Sequence, residues 1–198
     1  MTIIGITGPT GAGKTTALNE LEKLGGAIID CDAVYHKLLK SDVALQNELE
    51  NAFGPMKDKN GSFDRKKLGG VVFRDPVALE KLNAIVYPYI GRAVDALLEQ
   101  ARQEGKKAVA VDGITLIESG LGAQCDATVA VLAPLEERIR RICLREGISE
   151  EYARARVGAQ KQDAYFRANC DHILMNDCDR PEDFARRARE LFQQILKH

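Results

Sequence analysis

The sequence predicts an α/β fold in which a five-stranded parallel sheet is covered by helices on both faces. Three observations carry this expectation. Short apolar runs alternate with segments of helical periodicity, as in chains whose strands are buried on both sides. The first run leads at once into a glycine-rich turn and then a helical pattern. The length of 198 residues suits one sizeable core with insertions.

The expected strands are residues 3–7, 27–30, 108–112, 127–132 and 172–175. The first helix should open within the glycine turn and carry Ala17, Leu18, Leu21 and Leu24 at helical spacing, with Gly25 and Gly26 ending it. Between the second and third strands lies a long insert, residues 33–105. It is mostly helical in pattern, with breaks expected at Gly54-Pro55, along residues 57–63 and at Tyr87-Pro88. An arginine-dense stretch, residues 136–167, separates the fourth and fifth strands, and a last amphipathic helix should run from Pro181 to the C-terminus. The core is then residues 1–32, 106–135 and 168–198, the insert being a candidate substrate subdomain and residues 136–167 a candidate lid.

Composition narrows the function. Twenty-eight Lys and Arg against 29 Asp and Glu give a net charge of −1, so there is no broad basic surface for nucleic acid or anionic lipid. No stretch approaches the roughly 18 apolar residues needed to cross a bilayer. Met1 leads directly into the first apolar run without a basic leader or cleavage site, so a soluble, cytoplasmic protein is expected. The five cysteines, Cys31, Cys125, Cys143, Cys170 and Cys178, are odd in number and form no CxxC pair, so reduced thiols are expected. His36, His172 and His198 show no metal-ligand spacing.

Gly8-Pro9-Thr10-Gly11-Ala12-Gly13-Lys14-Thr15 fits G-x-x-x-x-G-K-[ST] at every fixed position, between an expected strand and an expected helix. This is a phosphate-binding loop, and with it the fold becomes a three-layer P-loop NTPase fold with a helical insert and a helical lid. Backbone N–H groups and the helix dipole favour phosphate there. Lys14 is expected at the β and γ phosphates of ATP and Thr15 on Mg²⁺, with Thr16 following in the first helical turn.

Other residues match the needs of phosphoryl transfer. Asp30 and Asp32 close the second strand, and strand alternation would point both carboxylates one way, toward the crevice at the carboxyl ends of the strands. A carboxylate that accepts or orients a hydroxyl proton is required, and Asp32 is the candidate; the alternative is a pair of solvated acids or helix caps. Asp112 ends an apolar strand in the Walker B manner and could reach the magnesium shell, although strands also end in Asp merely because the chain turns. Arg138, Arg141 and Arg145 recur at i, i+3 and i+7 and would share a helix face. Such a face could neutralise a transferring phosphoryl group, or be a solvated stripe paired with Glu136, Glu137 and Glu146. Asp64-Arg65, after a Gly61-Ser62-Phe63 turn, could offer a guanidinium to a substrate phosphate.

Nearly end to end, the chain resembles the dephospho-CoA kinase family, enzymes of the last step of coenzyme A synthesis. The resemblance runs through the phosphate loop, Ile29-Asp30-Cys31-Asp32, Phe53-Gly54, Gly61-Ser62-Phe63-Asp64-Arg65, Leu68, Val72-Phe73, Asp75-Pro76 and residues 82–90. It continues through Asp112, Glu118, Arg141, Arg145, Gly147, Ser149, Gln160, Asp171 and Asn176. It implies a fold like the nucleoside monophosphate kinases, ATP with Mg²⁺ as donor, and the ribose 3′-hydroxyl of dephospho-CoA as acceptor. By position it implies Asp32 beside the acceptor hydroxyl and Arg141 and Arg145 as lid arginines. It also implies Asn176 near the adenine, and Arg65, Asp112 and Tyr87 on the substrate side. The chain departs from the family at Ile114-Thr115, where Pro-Leu is usual, and at Tyr87, where His precedes the proline. Another small-molecule kinase of the same architecture is the nearest alternative. A P-loop switch would need a guanine-reading Asn-Lys-x-Asp segment, and the sequence has none. The expected partners are ATP and dephospho-CoA, without nucleic acid or membrane, for a monomer or small homo-oligomer.

Overall fold

A computed structural model describes residues 1–197; His198 lies outside the described residues. Along the chain the elements are β1 (Thr2–Thr7), α1 (Lys14–Lys23), β2 (Ala27–Asp30), α2 (Cys31–Ser41), α3 (Val43–Phe53), α4 (Arg65–Val72) and α5 (Pro76–Gln103). There follow β3 (Ala108–Asp112), β4 (Ala127–Leu132), α6 (Leu135–Glu146), α7 (Glu150–Gly158), α8 (Asp163–Asn169), β5 (His172–Met175) and α9 (Pro181–Ile195). The chain divides into two compact units, Asp30–Gln100 and the remainder.

The larger unit holds the sheet, in the order β2-β3-β1-β4-β5, with β1 parallel to β3 and β4, and β4 parallel to β5. All five expected strands form, the first beginning one residue early because Thr2 pairs with Ala108. One face of the sheet presents Ile4, Ile6, Ala110, Val129, Val131 and Leu174 to α1 and α9, whose Leu21, Phe184 and Phe192 are fully or almost fully buried. On the other face Ala130 and Leu132 pack with Phe166 of α8. Gly5 in the central strand lets the turn after β3 approach closely: a Cβ there would come within 2.7 Å of Leu116 Cδ2. Buried Glu20 of α1 accepts from Lys23 and from Arg189 of α9 at 2.6 and 2.9 Å, and its carboxyl is held below the usual value first by the Lys23 bond. Helices α6 and α7 form a hairpin with its own small core of Ile139, Ile142, Ala153 and Val157, turned at Gly147 in the left-handed region.

The smaller unit is helical and packs around Leu39, Leu45, Leu49, Met56, Leu68 and Val86. The expected breaks at Gly54-Pro55 and along residues 57–63 are present, the latter closed by an antiparallel bridge between Lys57 and Phe63. The break expected at Tyr87-Pro88 is not: α5 runs through Pro88 for 28 residues. Leu82, Val86, Ile90, Val94 and Leu98 recur every four residues and are all buried. Their combined burial outweighs the roughly 3 kcal/mol that an internal proline costs. The last helix, expected to reach the C-terminus, ends at Ile195.

Pro88 is exposed, so Pro88→Ala should restore a backbone hydrogen bond without disturbing packing. A gain of about 1–3 kcal/mol is expected from chemical unfolding, reduced somewhat by the freer unfolded chain. Asp171 ties the start of β5 to β4, accepting from the Thr128 hydroxyl and N–H at 2.7 and 2.8 Å. The hydroxyl bond and then the N–H bond hold its carboxyl below the ordinary 3.8. Its stabilisation is therefore complete above that ordinary value and is lost as pH falls through the lowered one. Thermal melts should show a gap between wild type and Asp171→Asn that is widest at neutral pH and narrows below pH 3.8.

Candidate active site

β1 ends at Thr7, and the loop of residues 8–13 carries the chain to the N-terminus of α1. Gly8 has φ 134°, and a Cβ there would lie 2.1 Å from the Val131 carbonyl oxygen. Gly13 has φ 107°, and its Cβ would lie 2.4 Å from Asn176 Nδ2. Both positions need glycine for conformation and for space. The loop's carbonyls are tied by side chains. Lys14 Nζ donates to Gly8 O at 3.0 Å, Arg138 Nε to Thr10 O at 3.1 Å, Arg141 to Gly11 O at 3.3 Å, and Asn176 Nδ2 to Ala12 O at 2.8 Å. In a planar trans peptide the C=O and the next N–H point opposite ways, so each tied carbonyl fixes the N–H that follows it, except at Gly8, where Pro9 has none. Gly11 and Gly13 N–H are oriented in this way, at the positive end of α1, where an anion is favoured.

The register pairs Asp112 with Ile6, so the acid closes β3 beside the last residues of β1, and Thr7 Oγ1 donates to the Ile114 carbonyl at 3.3 Å. Thr15 is exposed in the first turn of α1, with Thr16 beside it. A hydroxyl and a carboxylate are hard oxygen donors, the kind Mg²⁺ accepts when it arrives with phosphate groups. Beside the loop a pocket of about 380 Å³, within the usual ligand range, is lined by Gly13, Thr16, Glu137, Arg140, Arg141 and Asn176, among others.

The arginine stripe of α6 divides by burial. Arg138 is only 5% exposed, Arg141 lines the pocket, and Arg145 is exposed and pairs with Glu146 at 2.6 Å. Arg145 is thus not brought to the loop. Salt bridges of the alternative reading also occur: Arg140 to Glu137 at 2.7 Å and Arg154 to Glu136 at 2.6 Å. Gln160, in the turn between α7 and α8, bonds Thr10 and Arg138. Arg138 is marked out by the spacing of the stripe, but Gln160 is not, because a single glutamine in a turn has no periodicity to read.

The helical unit starts at Asp30, the last residue of β2, and Cys31 already starts α2, so strand alternation does not aim Asp30 and Asp32 together as expected. Asp30 is the N-cap of α2, its Oδ1 accepting from Asp32 and Ala33 N–H at 2.8 and 3.0 Å, as aspartate does before a helix. Asp32 sits exposed in the first helical turn. Arg65 opens α4 and donates to His36 Nε2 at 2.5 Å; a guanidinium has only donors, so the neutral ring carries its proton on Nδ1. Arg65 also lines a cavity of about 940 Å³ with Tyr35, Leu39, Phe63, Phe73 and Leu82. Burial pushes the Tyr35 hydroxyl up, against the Arg65 charge. Tyr87 is half-buried on α5.

A family model described as dephospho-CoA kinase matches residues 2–182. The chain belongs to the dephospho-CoA kinase family. A dephospho-CoA kinase of Dehalococcoides mccartyi is 37% identical over 179 residues, 90% of each chain. TT1252 of Thermus thermophilus superposes with TM-score 0.79 at 32% identity, covering 98% of this chain and 96% of that one. A dephospho-CoA kinase from Campylobacter jejuni superposes with TM-score 0.62 at 25% identity, covering 100% and 98%. The three-layer sheet and its glycine loop are accordingly the fold of a P-loop kinase.

A Lys14 substitution can test activity apart from stability, since the side chain is not part of the apolar core. Lys14→Ala should keep a wild-type circular dichroism spectrum and melt within a few degrees of wild type. Its kcat should fall about 10²-fold or more, as when a preorganised donor to developing charge is removed. A misfolded variant, or near-normal turnover, would refute the assignment.

Proposed function

We propose that the protein transfers the γ-phosphoryl group of ATP to the ribose 3′-hydroxyl of dephospho-CoA, giving coenzyme A and ADP. The family membership carries this reading, and the tied phosphate loop beside its pocket supports it.

ATP binds along Gly8, Pro9, Thr10, Gly11, Ala12, Gly13, Lys14, Thr15 and Thr16, with its phosphates against the loop N–H groups and the α1 dipole. The pocket at Asn176 and Arg141 takes the nucleoside end. Thr15, with Asp112, would hold Mg²⁺, which when bound neutralises phosphate charge. Lys14 leaves the Gly8 carbonyl to meet the β and γ phosphates. Asp32 orients the acceptor hydroxyl and takes its proton as the new P–O bond forms and the bond to ADP breaks. Arg141 and Arg145 offset the charge on the transferring group, with residues 136–167 acting as a lid. Residues 33–105 bind the acceptor, Arg65 and Tyr87 among them. The lined cavity at Arg65, part apolar and part cationic, suits a substrate with both phosphate and aliphatic portions. We place the reaction in the cytoplasm, where the five free thiols would persist.

Incubation of the purified protein with ATP, Mg²⁺ and dephospho-CoA should yield ADP and coenzyme A in equal amounts. Product formed only from another acceptor would redirect the reading. Asp32→Asn should bind dephospho-CoA normally by calorimetry and lose about 10²- to 10⁴-fold in kcat, the smaller loss if positioning dominates over proton removal in a loose transition state. Asp30→Asn keeps a good cap and removes the neighbouring charge, so it should stay near wild type. Equal small losses in both variants would take Asp32 out of the reaction.

A further inference from the structure

Thr10, the third residue of the phosphate loop, has all three of its hydrogen-bonding groups engaged by two side chains that lie far along the chain. Its N–H donates to Gln160 Oε1 at 3.1 Å, its hydroxyl accepts from Gln160 Nε2 at 2.7 Å, and its carbonyl accepts from Arg138 Nε at 3.1 Å. A fourth bond, from an Arg138 terminal nitrogen to Gln160 Oε1 at 2.9 Å, joins the two side chains to each other. Arg138 is 5% exposed, and a Cβ on Gly11 would lie 2.8 Å from its carbonyl oxygen, so α6 is packed hard against the loop at this point.

Burying a guanidinium costs free energy that hydrogen bonds offset, and here Nε is spent on a loop carbonyl and a terminal nitrogen on the glutamine that holds the same residue. A cation so placed is not free to swing onto a phosphate. Its effect on the loop is geometric. The Thr10 carbonyl and the Gly11 N–H belong to one planar peptide, so tying the former aims the latter. Gly11, at φ 82°, has no side chain to restrict its backbone, and beyond a long turn bond from Ala12 N–H to the Pro9 carbonyl at 3.3 Å its orientation is set by what grips Thr10 from outside the loop.

We propose that Gln160 and Arg138 are positioning residues for phosphoryl transfer: gripping Thr10 from both sides, they hold the phosphate loop in the conformation that receives ATP. The inference rests on the reading that the phosphates of ATP occupy this loop. Since Gln160 follows α7 and Arg138 lies in α6, the two ends of the α6–α7 hairpin are fastened to the loop, and its turn at Gly147 lies away from the fastening.

The test compares Gln160→Ala, Gln160→Met and Gln160→Glu. The first two remove the polar atoms, Met keeping the length of the side chain should Ala fold poorly. Gln160→Glu keeps an oxygen for Thr10 N–H and Arg138 and a second oxygen to which the Thr10 hydroxyl can donate. Calorimetry with ATP alone and steady-state rates with both substrates are measured on protein whose melting is also recorded. Gln160→Ala and Gln160→Met should weaken ATP binding, lower kcat, or both, by about 10- to 100-fold, the scale of a misplaced reacting group. KM for dephospho-CoA should stay within about threefold. Gln160→Glu should recover most of the loss. Adding Thr10→Ala to Gln160→Ala should cost little more, because the pair acts as a unit.

A role confined to stability would lower the melting temperature and leave ATP affinity and kcat of the folded protein unchanged, which would overturn the proposal. So would a Gln160→Glu variant as impaired as Gln160→Ala. If wild type itself binds no ATP, the nucleotide reading falls and the brace with it; if wild type and Gln160→Ala bind ATP alike, only the brace falls.

Discussion

A loop that receives phosphate through its backbone N–H groups must send its carbonyls somewhere, and each of them is a strong acceptor that is costly to leave without a donor when buried. Here the carbonyls of Gly8, Thr10, Gly11 and Ala12 accept from Lys14, Arg138, Arg141 and Asn176. One donor is local, six residues away. The other three come from 128, 130 and 164 residues along the chain. The conformation of an eight-residue motif is therefore a property of the whole larger unit. Helix α6 must follow β4 at the right angle, and the chain leaving β5 must pass Gly13 closely enough that a single Cβ would block it.

The sheet supplies that precision. β4 and β5 pair in register from Val129 with His172 to Leu132 with Met175, so the donor at Asn176 is set one residue beyond a fixed ladder, with its own N–H on the Leu132 carbonyl at 2.7 Å. The ladder is anchored at its start by Asp171 on Thr128 and sealed on one face by Phe184 and Phe192. Apolar burial at one end of the unit thereby fixes a polar geometry at the other, which a rigid, close-packed interior can transmit.

The strands were readable because a strand buried on both faces is a plain apolar run, and the glycine loop because three of its residues have no substitute in conformation. Sequence and structure differ where a residue has two local uses. Asp30 reads equally as a strand-end acid and a helix cap, and the cap prevails because the free N–H groups of Asp32 and Ala33 lie within reach of its carboxylate. Pro88 reads as a break, and is overruled by five buried residues at four-residue spacing that no local rule weighs. Periodicity placed Arg138, Arg141 and Arg145 along one helix, yet it says nothing of what packs against each turn. Gln160 had no pattern at all, since its partners are Thr10 and Arg138, 150 and 22 residues away.

That division of the arginine stripe has an energetic logic. Arg138 is enclosed and its burial pulls its pKa down, against the opposing charge of Asp163, so its donors must stay where they are. Arg145 is paired with Glu146 in solvent, and exposed ion pairs are worth about 0–1 kcal/mol, so drawing its guanidinium to a polyanion forfeits little. Arg141 lies between these cases: half-buried, on the Gly11 carbonyl at 3.3 Å and 3.5 Å from Asn176 Oδ1, long bonds that a phosphate oxygen would exceed in strength. One helix can thus brace a loop with its first turn and keep cations in reserve along the next two, because the cost of moving a charge falls as the helix leaves the core.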